Sequence, residues 1–309
     1  DRRHTAASLA GPMNSYQDQP ILFGPEHRLL GLVTRPVGSL QAGIACLMFN
    51  FGVTHRTGPR RIQVKLARRL AQQGVASLRF DLSGLGDSLP APNGQGFEEQ
   101  ALEDLRLAID QIEQQLGISR VIVIGLCSGA MQGLQAALRD PRIHGLLAFD
   151  GHSFTSRSAQ LARRLRRFIR FPVAQTRHWI DRLRGTDRPP DGDLLREGVE
   201  GLVMTPYLFR QHMDILVARG VAVYLLFSGT VQSRDRNKDQ MYGLRGSAFL
   251  ERVRYEFMPN LDHSFTELAG QEAFLNAICA WVKEVQHNPE PLAAADGDRV
   301  MRPEALATA

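Results

Sequence analysis

The chain has 309 residues, 43% of them hydrophobic, which is enough apolar material for a large core in a single α/β domain. A net charge of +5 is too small for a global nucleic-acid signature, and the three cysteines, Cys46, Cys127 and Cys279, form no disulfide framework, Cys-x-x-Cys pair or metal-ligand spacing. No apolar run reaches bilayer-spanning length and DRRHTAASLAGPM lacks the apolar centre of a secretion signal, so the expectation is a cytoplasmic protein with no cofactor, no metal and no transmembrane segment.

Met13 reads as a natural start, and residues 1–18 read as a flexible N-terminal extension. Residues 19–35, QPILFGPEHRLLGLVTR, predict two strands forming a hairpin around Gly24-Pro25-Glu26-His27. GIACLMFN, Gly43 to Asn50, is a continuous apolar run suited to a strand covered on both faces. Ile62, Leu66 and Leu70 mark one face of a helix that stops at Gly74, and VASLRFDLSG is the next strand. The following loop, Leu82 to Ser88, contains glycines but lacks the third glycine and the lysine of phosphate-binding motifs, so it reads as a structural turn. Phe97 to Leu116 is a helix with Leu102, Leu105, Ile109, Ile112 and Leu116 at steps of three and four.

A strand from Ile118 then leads into Gly125-Leu126-Cys127-Ser128-Gly129 and a helix opening at Ala130. IHGLLAFDG is a further strand ending at Asp150, and residues 152–215 interrupt the strand–helix rhythm as a helical lid insertion. VAVYLLFSG and VRYEFMP supply the last two strands, Ala273 to Val285 the closing helix, and the tail from residue 287 has the composition of a disordered segment. Strands alternating with helices imply a mainly parallel sheet flanked by helices, with ligands at the carboxyl ends of the strands. The main domain is then residues 19–286.

Strand, glycine, cysteine, glycine and helix in that order make a nucleophile elbow, with the sharp turn exposing the Cys127 side chain. A free thiol with a pKa near ~8.5 is mostly protonated at neutral pH, so the cysteine needs a base. His263, in the loop after the final strand, is the candidate base, by the chain order of this arrangement. Asp150 ranks first as the acid that orients it, followed by Asp235 and then Asp239. The backbone amides of Ser128 and of Gly52 or Phe51 are the candidate oxyanion donors. The plainer alternative for Cys127 is a cysteine packed under a helix, and for Asp150 a turn or cap residue.

Ten arginines lie between Arg157 and Arg188, and LARRLRRFIRF places Leu161, Leu165 and Phe168 on one face with arginines around them. One reading is a solvated lid helix; the other is a docking patch, with Arg163, Arg164 and Arg167 meeting an acyl carrier protein or the phosphates of a coenzyme A thioester.

From Gln19 to Gln286 the chain resembles the α/β-hydrolase superfamily. The blocks Asn50-Phe51-Gly52-Val53-Thr54-His55 and Lys65 to Leu70 are similar to the serine-aminopeptidase and monoacylglycerol-lipase branch, with Asn50 and Phe51 where that branch has His-Gly. Leu78 to Gly84, Gly86-Asp87-Ser88 and Gly125 to Ala130 resemble bacterial hydrolases encoded beside exopolysaccharide or polyketide genes. The resemblance implies an α/β-hydrolase fold and hydrolysis or transfer of acyl groups from esters or thioesters. Cysteine at the elbow turns the expectation towards a thioesterase or acyltransferase with a Cys127–His263–Asp150 triad. The rivals are a small-molecule ester or lactone hydrolase and a catalytically silent binding protein of the same fold.

Overall fold

The computed structural model describes residues 15–38, 43–92, 94–155, 204–230 and 239–287. Its organising element is an eight-stranded sheet, β1 (Tyr16–Phe23), β2 (Leu29–Pro36), β3 (Ala45–Met48), β4 (Ala76–Phe80), β5 (Val121–Leu126), β6 (Ile143–Phe149), β7 (Ala222–Ser228) and β8 (Arg254–Met258), in the order β1-β2-β4-β3-β5-β6-β7-β8. β1 pairs antiparallel with β2, and β2 with β4; every other pairing is parallel.

β5 and β7 carry apolar side chains on both faces because both sides are covered. In β7, Val223, Leu225 and Phe227 join one core cluster while Ala222, Tyr224 and Leu226 join the other. Val121 and Val123 divide from Ile122 and Ile124 in the same way along β5. This period-two split of a continuous apolar run is what a doubly covered parallel sheet requires. The helices α1 (Ile62–Gln72) and α5 (Leu268–His287) cover one face. The other face carries α2 (Phe97–Leu116), α3 (Ser128–Arg139) and α4 (Pro206–Ala218).

Three boundaries differ from the sequence reading. β1 begins at Tyr16, so residues 16–18 belong to the sheet rather than to an extension. Asp18 explains why: its carboxylate accepts from Thr34 on β2 and from Arg68 on α1, and lies 3.4 Å from buried Arg79 on β4. Residues 206–215, assigned by sequence to the insertion, form most of α4, and Phe209, Met213, Leu216 and Val217 bury its apolar face in the core. The closing helix starts at Leu268, five residues before Ala273. Most of the expected insertion, including Arg163, Arg164 and Arg167, lies outside the described residues, as do Asp235 and residues 288–309.

Candidate active site

The turn between β5 and α3 is built on close approach. A Cβ at Gly125 would overlap the Gly129 carbonyl and the Ala130 Cα, so strand and helix can pass only where residue 125 has no side chain. A Cβ at Gly129 would stand 3.0 Å from the Asn50 carbonyl, which brings the end of β3 against the start of α3. Between the two glycines Cys127 adopts φ 53°, ψ −115°, a strained backbone for a residue with a side chain. Its amide is fixed to the Phe149 carbonyl at 2.8 Å, which ties the elbow to the end of β6. The strain holds the side chain at the carboxyl edge of the sheet, half-buried and beside His263.

Asp150 follows β6 immediately, again with positive φ (48°), and its amide bonds to Leu226 on β7. That kink swings the carboxylate across β7, where it is almost wholly buried. Oδ1 accepts from the Ser228 amide at 2.7 Å, and Oδ2 accepts from the Ser228 hydroxyl at 2.6 Å and from His263 Nδ1–H at 2.7 Å. A carboxylate can only accept, so the proton of that last bond sits on Nδ1 and leaves Nε2 to face Cys127.

The loop after β8 is itself fixed. The His263 amide donates to the Thr230 hydroxyl at 3.0 Å, and Asp262 accepts from the amides of Ser264 and Thr266. Phe149 stacks on the imidazole and Phe51 meets it edge-on, each at 6.0 Å between ring centres. The hydrogen bond to Asp150, followed by that to Cys127, holds the His263 pKa up at about 10, against the opposing effect of burial.

The third wall is the turn after β3. Asn50 is buried and fully engaged: Nδ2 donates to the Thr54 carbonyl and to Asp81 Oδ1, while Oδ1 accepts from the Leu82 amide. Asp81 also accepts from the Arg56 amide and guanidinium, so it anchors the whole turn. Gly52, at φ 53°, sits at the tip, and its amide donates to the Ser128 hydroxyl at 2.6 Å. The sequence reading offers the amide of Gly52 or Phe51 as an oxyanion donor; in this structure the Gly52 N–H is directed at the Ser128 hydroxyl.

Of the two candidate acids among the described residues, Asp150 is the one beside His263. Asp239 instead accepts from the Met241 amide and pairs with Arg245 at 2.9 Å. His55, Asp81 and Asp87 bring three ligand atoms within 4.8 Å of one another, but the Arg56 guanidinium pairs with both carboxylates and supplies the positive charge there. The sequence places Ser228 and Asn50 at strand ends on the ligand-binding edge but assigns neither side chain a role. The only local signal for Ser228 is a hydroxyl at the end of an otherwise apolar strand; Asn50 shows as a polar residue ending one.

No helix among the described residues is long and apolar enough to cross a membrane. No curated protein matches the chain. Among solved structures the fold is similar to a hypothetical protein from Pseudomonas aeruginosa, 17% identical, with 87% of this chain and 94% of that one covered and a TM-score of 0.52. It is similar to an α/β serine hydrolase without lid from Xanthomonas campestris, at 12% identity, 90% and 98% coverage and TM-score 0.52. A dienelactone hydrolase from Anabaena variabilis matches at 15% identity, 87% and 98% coverage and TM-score 0.52. A family model described as the alpha/beta hydrolase family matches residues 53–277, well over half of the sequence, and with the sheet order and the elbow in place the chain belongs to that family.

Proposed function

We propose that this hydrolase-family protein transfers or hydrolyses acyl groups through a covalent acyl-Cys127 intermediate, with thioesters as the preferred donors. The observation that supports this reading most is the placement of Cys127 beside the hydrogen-bonded Asp150–His263 pair at the carboxyl edge of the sheet. Asp150 orients the ring through Nδ1–H, and His263, with its pKa raised to about 10, holds the proton taken from the thiol. The thiolate attacks the acyl carbonyl, forming an S–C bond and moving the carbonyl π pair on to oxygen. Collapse restores the carbonyl and expels the leaving group, which takes the proton back from His263. Water or another nucleophile then repeats the sequence on the acyl-cysteine.

Cysteine favours a thioester donor because exchange of one thioester for another costs little, whereas an oxyester must be traded for a more reactive acyl-enzyme. Carrier-bound acyl chains fit the same chemistry, with Arg163, Arg164 and Arg167 as the docking residues for a carrier's acidic surface. The test compares kcat/KM for butyryl-coenzyme A and for p-nitrophenyl butyrate, in wild type and Cys127→Ala. A thioester preference that disappears with the thiol supports the reading; turnover of the oxyester that survives in Cys127→Ala contradicts it.

A further inference from the structure

The Ser128 hydroxyl stands in the place where sequence reasoning puts a bare amide. Gly52 N–H points at Ser128 Oγ, 2.6 Å away, although the two residues are 76 positions apart. An N–H so committed cannot also aim at a developing oxyanion. The hydroxyl that receives it, however, keeps one proton to donate. Accepting a short bond from an amide polarises that O–H and makes it a better donor. Ser128 also opens α3, where the first amides of a helix have no partner within the helix.

The bond to Ser128 is not what shapes the turn. Asn50 Nδ2 holds the Thr54 carbonyl at 2.8 Å, the Thr54 amide closes on the Phe51 carbonyl at 3.1 Å, and Asp81 anchors both Asn50 and Arg56. With the turn held from its other side, the hydroxyl is left with a chemical use rather than a structural one.

We infer that the Ser128 side chain is an oxyanion donor, relaying the Gly52 amide through its own O–H on to the acyl oxygen. The inference rests on the acyl-cysteine reading. When the Cys127 thiolate forms the S–C bond, the π pair on oxygen is met by the Ser128 O–H and the Ser128 amide. No proton is transferred in this contact, and the bond relaxes when collapse expels the leaving group.

The test separates stabilisation of an oxyanion from reactivity of the thiol. Acylation by butyryl-coenzyme A passes through an oxyanion; alkylation by iodoacetamide does not. Ser128→Ala is expected to acylate about 10²-fold more slowly than wild type, the scale of losing one oxyanion donor, while its alkylation rate stays within about twofold. Ser128→Thr, which keeps the hydroxyl, is expected to stay within about tenfold of wild type in acylation. Acylation of Ser128→Ala at the wild-type rate or faster would overturn the proposal, as would equal losses in acylation and alkylation, or Ser128→Thr as slow as Ser128→Ala. Wild type that alkylates but takes no acyl group would overturn the acyl-cysteine reading and this proposal together.

Discussion

Replacing Asp150 by asparagine removes one charge and almost no volume from a buried position. The native carboxylate accepts three hydrogen bonds, from the Ser228 amide, the Ser228 hydroxyl and His263 Nδ1–H. An asparagine offers one oxygen and one NH2 group, so one of two fixed donors must face another donor. If the NH2 turns towards Ser228 N–H, a buried amide is left unpaired at a cost of about 1–3 kcal/mol. If it turns towards His263, Nδ1 must become the acceptor and Nε2 must carry the proton. The imidazole then presents N–H to Cys127 and cannot take the thiol proton. Losing a charge-assisted bond of about 1.5–3 kcal/mol corresponds to a fall of about 10- to 150-fold in acylation. A cysteine depends on its orienting acid less than a serine does, which keeps the effect below the ~10⁴ seen when a serine triad loses its acid. Rapid-quench acylation by butyryl-coenzyme A measures it, with Asp239→Asn as the companion. The reasoning fails if Asp150→Asn acylates at the wild-type rate, or if Asp239→Asn carries the loss instead.

Three further outcomes follow from the same contacts. His263 is raised from 6.5 to about 10 in the folded protein, so its contribution to stability is complete below about pH 6.5 and is lost as pH rises through 10. Thermal unfolding of wild type should therefore decline more steeply over that window than that of His263→Gln, and parallel curves would contradict the assignment. Asn50→Ala leaves the buried Leu82 amide without its acceptor and Asp81 short of a donor, and should cost about 2–3 kcal/mol in urea unfolding with an unchanged m value. Gly125→Ala drives a methyl into the backbone of α3 and should destabilise by at least about 2 kcal/mol; a well-folded variant with wild-type alkylation would show that strand and helix can separate.

What the sequence made visible was mostly local. Phe97 to Leu116 shows its helix by spacing alone, and the structure ends α2 at the same residues, with Gly117 in the left-handed region. The elbow reads as strand, turn and helix because each part has its own signal. Asp150 could be ranked first because β6 ends directly at it. Strand order was not legible, since β4 sitting between β2 and β3 depends on crossovers and not on any one segment. Nor was the start of β1: YQDQPILF has half-buried residues and no clean alternation, and Asp18 is held by partners 16 and 50 residues away. The site's finer contacts failed for the same reason. Ser228 to Asp150 spans 78 residues and Gly52 to Ser128 spans 76, and no periodicity encodes either.

The most direct test of the account is the mass of the intact protein after mixing with butyryl-coenzyme A under acid quench, followed by peptide mapping. The account predicts one added butyryl group on the peptide containing Cys127, absent from Cys127→Ala and slow to form in Asp150→Asn. An acyl group mapped to Ser128 or elsewhere, or an adduct that persists in Cys127→Ala, would contradict it.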